Sequence, residues 1–582
     1  MVDKTLATDS SDVERGVDHS DEADCDLLVV GSGAAGLSAA VTAAHLGLRV
    51  IVAEKAQTLG GTTAWAGGWI FAPCNPLARR AGIVENIDTP RQYLEVVMGN
   101  HFDAARVEAF LRHAPAMVSF FEENTALQFE PGNQIPDTYG KLPGAGTGGR
   151  SVIAAPYDGR ELGALIDLLR HPMPGTAFMG MTIQAGPDLR AFMTVTRSAS
   201  AFLHVARRFG QHLVDLVRFR RGMQLRNGNA LVARLIRSGA DLKVSFLTES
   251  PVISLLTKAG AVSGAVLETK RGKTTIKARC GVVLASGGFS QNKELTDALF
   301  PAAGQHRSLA VPEATGDGRA MAMAAGADFD ASLASPAAWC PVSVVTWPDG
   351  KQGLFPHIIE RGKPGIIGVR RDGRRFCNEG EGYHDYVTAL LGATPAGEPA
   401  ESWLICSRSF QRRYGLGISR PAPVPYKHWV RSGYLTESET IEGLAEACGI
   451  DPAGLRATID EWNLHARRGA DPSFGRGSTR YHRYQGDPEH GPNPCVAPID
   501  KGPFLAVRVV PGSFGSFAGI RTDSSARVLD KADQPIPGLF AAGADAASVM
   551  GGFYPAGGIN IGPAMTFGFI AGRTAAGLGP VE

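Results

Sequence analysis

The stretch Asp26-Leu-Leu-Val-Val-Gly-Ser-Gly-Ala-Ala-Gly-Leu37 decides the fold of this chain. It opens with Leu27 to Val30, an apolar run typical of a parallel strand buried on both faces. Gly31, Gly33 and Gly36 follow at the G-x-G-x-x-G spacing. The first two glycines let the backbone turn sharply and approach a pyrophosphate, and the third lets the next helix pack closely on the sheet. The stretch therefore predicts a strand, a tight turn and a helix.

A second strand and an acidic residue complete this unit. Apolar residues recur at helical intervals from Leu37 to Ala44, and the run Leu48 to Ala53 predicts the next strand. Glu54 follows that strand, in the place where a carboxylate accepts hydrogen bonds from ribose hydroxyls. Glycine-rich turns before helices also occur for packing alone, but here the strand, the helix and the acid are all in register. We therefore predict dinucleotide binding.

Length and composition limit the class of protein. The 582 residues predict two or three domains, and the balance of 58 basic against 57 acidic residues gives no reason to expect nucleic acid as a partner. Eight cysteines are scattered without a C-x-x-C pair, which disfavours zinc ribbons, thioredoxin-like centres and a disulfide scaffold. We expect no metal site, and a reducing cytoplasm is the expected compartment.

Two stretches bear on membranes. Residues 1–24 are acidic and polar, so we predict a disordered lead-in rather than a signal peptide. No apolar run approaches the roughly 18 to 20 residues that a transmembrane span needs. Residues 199–221 predict a basic amphipathic helix with Phe202 and Leu213 on its apolar side. That helix could lie on a membrane surface, as a peripheral contact, or be a solvated helix packed on the main body of the protein.

Further glycine-rich segments indicate how the chain is divided. Gly60 to Ile70 is dense in small residues and hydroxyls that could meet a phosphate or a flat ring, although it could also be a plain loop. A predicted antiparallel meander precedes Gly281 to Phe289, which repeats the design of a buried strand followed by small residues. We predict an α/β protein whose first domain, 25–289, is completed by residues 503–582, with a cap domain at 290–502 inserted between them.

Six motifs together resemble one known family. They are Val29-Val-Gly-Ser-Gly-Ala-Ala-Gly36, Glu54-Lys55, Gly60-Gly-Thr-Thr63, Ala285-Ser-Gly-Gly288, Arg374-Arg-Phe-Cys-Asn-Glu379 and Gly538-Leu-Phe-Ala-Ala-Gly543. In this order they resemble the flavoprotein family of fumarate reductases and 3-ketosteroid dehydrogenases. The resemblance implies FAD in a Rossmann-like domain, split by an inserted α+β cap, with the substrate between flavin and cap.

The side chains near the C-terminus favour the ketosteroid branch. Fumarate reductases clamp a dicarboxylate with basic residues, but neither Gly512–Gly519 nor Gly552–Gly558 contains one. Tyr554-Pro-Ala-Gly-Gly558 is similar to the Tyr-Pro-Gly-Pro-Gly segment of 3-ketosteroid Δ1-dehydrogenases. The resemblance implies that the Tyr554 hydroxyl and the Gly558 amide bind the substrate ketone, and that Tyr383 is the base. The third active-site tyrosine of the family aligns with Thr138, next to Tyr139.

The resemblance also implies a set of cofactor-binding positions. They are Gly31, Ser32, Gly33, Ala35, Gly36, Glu54, Lys55, Gly61, Thr62, Thr63, Gly67, Gly68, Val252, Ser286, Gly287, Gly543, Ile559 and Ile561.

The expected activity is dehydrogenation of a cyclic ketone next to its carbonyl, with a steroid as the expected substrate and an electron acceptor that the sequence does not identify. Three alternatives stay open. They are a smaller cyclic ketone such as an oxocyclohexane carboxylate, an enoate reductase, and a flavin-binding protein without turnover.

Overall fold

The computed structural model describes residues 22–301 and 305–579. Most of the predicted lead-in, residues 1–21, lies outside the described residues. Its last part does not fit the prediction, because Glu22–Cys25 is a strand that pairs in parallel with Gly272–Ala278. We therefore propose that the first domain begins a few residues earlier than the predicted boundary at residue 25.

The described chain alternates strands and helices. In chain order the strands are β1 (Glu22–Cys25), β2 (Leu27–Val30), β3 (Val50–Ala53), β4 (Trp69–Phe71), β5 (Phe129–Pro131), β6 (Ser151–Ala154), β7 (Tyr157–Asp158), β8 (Gln224–Leu225), β9 (Ser245–Leu247), β10 (Val252–Lys258), β11 (Ala261–Thr269), β12 (Gly272–Ala278), β13 (Val282–Leu284), β14 (Arg307–Ser308), β15 (Phe329–Asp330), β16 (Ala337–Thr346), β17 (Gln352–Pro356), β18 (Ile366–Val369), β19 (Ser402–Ser407), β20 (Thr436–Ser438), β21 (Phe504–Ser516), β22 (Gly519–Ile520), β23 (Arg527–Leu529) and β24 (Pro535–Ala541). The α-helices are α1 (Ala34–His45), α2 (Pro76–Arg80), α3 (Asp88–Met98), α4 (Ala104–Asn124), α5 (Pro187–Met193), α6 (Ala199–Phe219), α7 (Asn227–Asp241), α8 (Lys293–Leu299), α9 (Asp317–Ala324), α10 (Tyr383–Ala393), α11 (Arg408–Tyr414), α12 (Lys427–Arg431), α13 (Ile441–Cys448), α14 (Pro452–Ala466), α15 (Arg480–Gln485) and α16 (Ile561–Ala575).

The first sheet has the strand order β23-β24-β13-β2-β3-β9. Its four inner strands run parallel, and β2, β3 and β13 are buried along their whole length, as their uninterrupted apolar sequences predict. Helices α1 and α16 cover one face and touch closely, because a Cβ atom at Gly568 would lie only 2.3 Å from the Ala35 carbonyl oxygen. The N-terminal and C-terminal parts of the chain thus build one sheet.

A small antiparallel sheet lies against the first one. Strands β10, β11 and β12 form the predicted meander, and β1 extends it in parallel on the far side of β12. Its apolar face packs on β2, β13 and β24 in one continuous buried cluster. The prediction of a meander before residue 281 is confirmed.

The second large sheet belongs to the middle of the chain. Its order is β17-β16-β21-β19-β18, with β14 and β20 pairing at β21. Strand β21 pairs with β16 and β19 along most of its length, so residues 504–516 complete this sheet and not the first one. We therefore propose that the cap ends after Ser516 rather than at the predicted boundary of 502/503.

Two further points concern the peripheral helices. The predicted helix over 199–221 is present as α6, and α3 and α4 lie on residues 88–124. None of the helices in the described ranges is both long enough and apolar enough to cross a bilayer.

Candidate active site

One cavity of about 1170 Å³ lies between the two large sheets. Its floor is the carboxyl edge of the first sheet, because residues that directly follow β2, β3, β13 and β24 line it. Residues of the cap form the opposite wall, and residues 170–197 form a third wall. A cleft at the carboxyl ends of parallel strands is the usual ligand site of such sheets.

Most of the expected cofactor positions line this cavity. Those that do are Gly31, Ser32, Gly33, Ala35, Glu54, Gly61, Thr62, Thr63, Gly67, Gly68, Ser286, Gly287, Gly543, Ile559 and Ile561.

Three expected cofactor positions have other roles. A Cβ atom at Gly36 would lie 2.0 Å from the Gly31 carbonyl oxygen, so this glycine allows helix α1 to pack on the preceding turn. Lys55 reaches away from the cavity lining and forms an ion pair with Asp317 at 2.6 Å. Val252 is a core residue at the start of β10. Cofactor contact by these three residues stays a prediction, and within the chain they make the packing and ion-pair contacts given above.

The cavity has the features that a dinucleotide requires. Helices α1 and α16 begin at its edge, and neither has a side-chain cap or an acidic residue in its first turn. Such helix N-termini attract anionic groups through their free N–H groups and their dipole. At Gly33 and Gly67 an added Cβ atom would approach no protein atom closer than 3.6 Å, which leaves room for a ligand against the backbone.

Glu54 lies beneath the glycine turn as expected. Its Oε2 atom accepts hydrogen bonds from the Ser32 hydroxyl at 2.6 Å and the Ser32 amide at 3.1 Å, and Oε1 accepts from the Ala56 amide at 2.9 Å. These bonds fix the carboxylate at the cavity lining. A carboxylate can accept about four hydrogen bonds in total, so one more donor can still be accommodated.

The structure brings the three expected catalytic positions into the same cavity. Tyr383 is the first residue of α10, and Tyr554 lies in the loop before α16. Their ring centroids are 4.8 Å apart at an angle of 70°, although 170 residues separate them in the sequence. Gly558 lies in the same loop as Tyr554 and also lines the cavity. These residues could bind one small polar group together.

Gly558 has a backbone conformation that leaves its amide available. Its φ is +98°, and its carbonyl accepts hydrogen bonds from Phe71 at 3.1 Å and from Gly562 at 2.8 Å. Its own N–H donates to no residue in the part of the chain that the structure describes. A Cβ atom here would lie 2.6 Å from the Phe71 nitrogen, so only glycine fits this close approach.

Burial keeps Tyr383 and Tyr554 protonated at neutral pH. Burial, the nearby Tyr554 and the hydrogen bond to it raise the pKa of Tyr383 well above its usual value. Burial likewise raises the pKa of Tyr554, whose hydroxyl accepts a hydrogen bond from Asn560 Nδ2 at 3.1 Å. If Tyr383 is the base, as the resemblance implies, its phenolate forms only at alkaline pH.

Thr138 stands at the position that the resemblance assigns to a third active-site tyrosine. Thr138 lines the cavity, whereas the Tyr139 hydroxyl donates to Asp385 Oδ1 at 2.8 Å, away from the lining. Sequence analysis missed Tyr481, which enters the cavity from α15 of the cap. It is close enough to both Tyr383 and Tyr554 to raise their pKa values.

The pKa of Tyr481 is raised less than that of Tyr554. Burial raises its pKa to about 12, while the Gln485 side chain, which donates to its hydroxyl at 3.1 Å, and the guanidinium of Arg361 lower it. The local sequence, Arg480-Tyr-His-Arg-Tyr484, is a short basic helix without a recognisable motif. Only the chain fold brings this hydroxyl into the site.

Two neighbours of Tyr383 can be set aside as acid–base groups. His384 accepts a hydrogen bond from the Trp339 amide at 3.2 Å, and burial lowers its pKa to about 3, so it stays neutral. Tyr386 is fully buried and hydrogen-bonded to Ser402 at 2.9 Å, outside the cavity lining. Among the titratable residues of this helix, Tyr383 lines the cavity, whereas His384, Asp385 and Tyr386 do not.

Arg420 is one of the cap guanidiniums at the cavity. Arg420 lines the cavity and donates only long hydrogen bonds, of 3.4 and 3.3 Å, to the carbonyls of Gly175 and Ala177. It forms no ion pair with any residue in the described ranges. Burial lowers its pKa, and Tyr434 and Glu360 partly oppose that effect. A partly buried, unpaired guanidinium of this kind favours an anionic group on a ligand.

The apolar surroundings of Tyr383 suit a carbon skeleton. Leu309, Ile358 and Phe514 pack near its ring together with Met173, which comes from the third wall. All four side chains line the cavity. The site thus combines hydroxyl groups and an amide at one end with an apolar wall and a guanidinium further along.

Comparisons with known proteins agree with this geometry. The family model described as FAD binding domain matches residues 26–561. The chain is 41% identical to the 4-oxocyclohex-2-ene-1-carboxylate 5-dehydrogenase of Sinomonas cyclohexanicum over 95% of this chain and 94% of that protein. It is 35% identical to the 3-oxosteroid 1-dehydrogenase of Mycolicibacterium smegmatis over 94% of this chain and 96% of that protein.

A solved structure has the same fold. The 3-ketosteroid Δ1-dehydrogenase of Sterolibacterium denitrificans, in complex with 1,4-androstadiene-3,17-dione, superposes with a TM-score of 0.88. The match covers 95% of this chain and 99% of that one at 35% identity.

Proposed function

This chain belongs to the FAD-binding flavoprotein family of the 3-ketosteroid dehydrogenases and fumarate reductases, and from that premise we propose how its site works. The chain binds FAD and is an oxidoreductase acting on CH–CH groups. We propose that it introduces a carbon–carbon double bond next to the carbonyl of a six-membered cyclic ketone. The observation that carries the proposal is the meeting of Tyr383, Tyr554 and Gly558 at one cavity wall.

The chain's own groups account for the binding of FAD. The uncapped N-termini of α1 and α16 and the open backbone at Gly33 and Gly67 would hold its anionic and flat parts. When bound, the flavin supplies the acceptor for a hydride. The residues of the chain supply the binding and the proton transfer.

The ketone oxygen would be bound by the Tyr554 hydroxyl and the Gly558 amide. Both groups are donors, and a buried pair of donors stabilises the negative charge that develops on the oxygen as the α-carbon loses a proton. Tyr383, which lies beside Tyr554 at the cavity wall, would accept that proton as its phenolate, a form that burial disfavours at neutral pH. Loss of the α-proton then makes hydride loss from the neighbouring carbon feasible.

The substrate class is a carboxylated cyclohexanone rather than a neutral steroid. Arg420 supports this choice, since an unpaired guanidinium beside an apolar wall would bind the carboxylate of a small ring ketone. The name of the relative at 41% identity points to the same class. A 3-ketosteroid is the second candidate, supported by the relative at 35% identity and by the likeness to a steroid-binding structure.

Anaerobic mixing tests the activity and the substrate class together. The yellow holoenzyme is mixed with 4-oxocyclohexanecarboxylate or with 4-androstene-3,17-dione, and loss of the flavin absorbance is followed. We expect fast bleaching by the carboxylate and slow or no bleaching by the steroid. The reverse order would overturn the substrate class, and no bleaching by any cyclic ketone would support a flavin-binding protein without turnover.

The role of Arg420 has its own test. Arg420→Gln should raise KM for the carboxylate at least tenfold with a smaller effect on kcat, because it removes binding away from the reacting atoms. Arg197→Gln is the matched control, since Arg197 also lines the cavity but already pairs with Glu489 at 3.0 Å. An equal loss in both variants would contradict a specific role for Arg420.

A further inference from the structure

Tyr383 and Tyr554 come from different domains, so their spacing depends on how the domains meet. Tyr383 is the first residue of α10 in the cap, whereas Tyr554 precedes α16 of the first domain. Their ring contact of 4.8 Å therefore crosses the boundary between the two. Two domains move relative to each other unless bonds at the boundary hold them. A fixed spacing of the two tyrosines therefore requires bonds close to this contact.

Residues 137–139 contact the segments of both tyrosines and have an anchor of their own. The buried Asp137 carboxylate forms an ion pair with Arg150, which is 2% exposed, and accepts from the Gly146 amide at 2.8 Å. The Asp137 amide also donates to the Gly146 carbonyl at 2.9 Å. Neither of these partners belongs to α10 or to the Tyr554 loop. The segment can therefore serve as a fixed reference for both.

The Tyr554 loop is bonded to this segment. The carbonyl of Pro555, the next residue, accepts from the Thr138 amide at 2.8 Å and from the Tyr93 hydroxyl at 2.7 Å. The Tyr93 hydroxyl in turn accepts from the Tyr139 amide at 3.2 Å. The backbone beside Tyr554 is therefore held by residues 138 and 139.

The Tyr139 hydroxyl joins the same segment to α10. It donates to Asp385 Oδ1 at 2.8 Å, and Asp385 lies in the first turn of α10, two residues after Tyr383. Burial raises the pKa of Tyr139 well above its usual value, and the nearby amide of Tyr554 opposes this rise. The Tyr139 hydroxyl therefore lies between the two tyrosine-bearing segments.

The start of α10 is shaped around the Asp385 carboxyl. A Cβ atom at Gly382 would lie 2.4 Å from Asp385 Oδ2 and 3.0 Å from the Thr138 methyl carbon, so glycine lets both side chains pack against the residue before Tyr383. Asp385 Oδ2 is buried and has no hydrogen-bond partner in the described ranges. A buried oxygen without a partner costs stability, and such local costs are concentrated at functional sites. Asp385 thus has the features of a residue kept for its position.

We propose that Tyr139 and Asp385 form a latch between the first domain and the cap, and that this latch sets the distance between Tyr383 and Tyr554. Both are positioning residues, because neither side chain lines the cavity. The effect of the latch on the reaction rests on the proposed function, since it requires that Tyr554 binds the ketone and Tyr383 takes its proton. A displacement of about 1 Å between reacting groups can lower a rate about 100-fold.

Hydrogen–deuterium exchange of the holoenzyme tests the latch without turnover. Tyr139→Phe should speed exchange about tenfold in peptides covering residues 383–391 and 553–558, because both segments lose their shared bond. Tyr426→Phe is the matched control, since Tyr426 is also buried and donates to a carboxylate, Glu437 at 2.7 Å, but lies outside the cavity lining. It should leave exchange in both peptides unchanged. Equal exchange in Tyr139→Phe and the wild type would overturn the latch.

Anaerobic flavin bleaching, by the ketone that reduces the wild type fastest, tests the effect on the reaction. Tyr139→Phe and Asp385→Ala should each lower the limiting rate about tenfold or more, with KM changed less than about threefold, because contacts away from the ketone oxygen are untouched. Asp385→Asn keeps an acceptor oxygen for Tyr139 and should stay within about threefold of the wild type, as should Tyr426→Phe. A loss of rate caused by general destabilisation would not be rescued by asparagine.

The double variant Tyr139→Phe with Asp385→Ala removes both partners of one bond. It should be at most about twofold slower than the slower single variant, whereas losses that multiply would contradict a shared bond. Flavin absorbance and thermal unfolding show that each variant is folded. Faster exchange with an unchanged bleaching rate would refute the positioning role. A wild type that no ketone bleaches would refute the proposed function, and the exchange experiment would then decide on the latch alone.

Discussion

Replacing Tyr554 by phenylalanine tests the role assigned to its hydroxyl. The ring contacts to Tyr383 at 4.8 Å, His384 at 5.9 Å and Phe517 at 6.3 Å can all persist in Tyr554→Phe. The lost group is one hydroxyl, which accepts a hydrogen bond from the half-exposed Asn560 and is also hydrogen-bonded to the buried Tyr383. The Asn560 amide can turn to water, but the Tyr383 hydroxyl loses a partner, so the cost in stability should be about 1 to 3 kcal/mol. The variant should therefore fold and keep its flavin.

The catalytic cost should be larger than the structural one. The proposal assigns two donors to the ketone oxygen, and losing one such donor typically lowers kcat about 100- to 1000-fold, or about 3 to 4 kcal/mol. The assay is the rate of anaerobic flavin bleaching at saturating ketone in a stopped-flow instrument. Saturation separates a slower reaction step from weaker substrate binding.

A matched variant controls for the general effect of removing a buried tyrosine hydroxyl. Tyr386→Phe removes a buried hydroxyl one turn along the same helix as Tyr383, but that hydroxyl bonds Ser402 outside the cavity lining. Its bleaching rate should stay within about threefold of the wild type. If Tyr554→Phe also stayed within that range, the assignment of the ketone site to Tyr554 would be refuted.

Further predictions concern the neighbouring groups. Burial raises the pKa of Tyr383 well above 10, so the fraction of Tyr383 phenolate grows with pH across the alkaline range. The bleaching rate of the wild type should therefore rise with pH in that range. The rate of Tyr383→Phe should not depend on pH in this way. Tyr481→Phe should lower the bleaching rate at least tenfold while leaving flavin content unchanged; a rate equal to the wild type would make Tyr481 a wall residue only. Burial raises the pKa of Asp385 to about 7, above its unfolded value, so folding takes up a proton and the melting temperature should fall between about pH 4 and pH 7. In Asp385→Asn the melting temperature should depend less on pH between about pH 4 and pH 7. If thermal unfolding shows the same pH dependence in the variant and the wild type, the Asp385 carboxyl is not its cause.

The glycine fingerprint was predictable because its cause is local. Buried strand, tight turn and helix follow from the order of residues 26–54, and the structure has each of these elements. The positions of Tyr383 and Tyr554 were predictable only through family motifs, since no local pattern joins residues so far apart. Both line one cavity, as that resemblance implied.

Other features depend on contacts that a sequence does not display. The basic stretch around Tyr481 could face solvent as well as the cavity, and only the docking of the cap decides between them. For α6, periodicity identifies an apolar side but not which side faces the protein. Distant partners such as Arg160 and Asp188 decide that, because they pair with the buried charges of the helix. Val252 was assigned to the cofactor by family position, yet it packs in the meander core.

A single-turnover experiment tests the central claim most directly. Oxidised holoenzyme is mixed without oxygen with one equivalent of cyclic ketone, and both the flavin absorbance and the organic product are quantified. The account predicts one equivalent of the α,β-unsaturated ketone for each flavin reduced, and a slower reaction when the α-carbon carries deuterium. Flavin that stays oxidised, or that is reduced without formation of the unsaturated ketone, would contradict it.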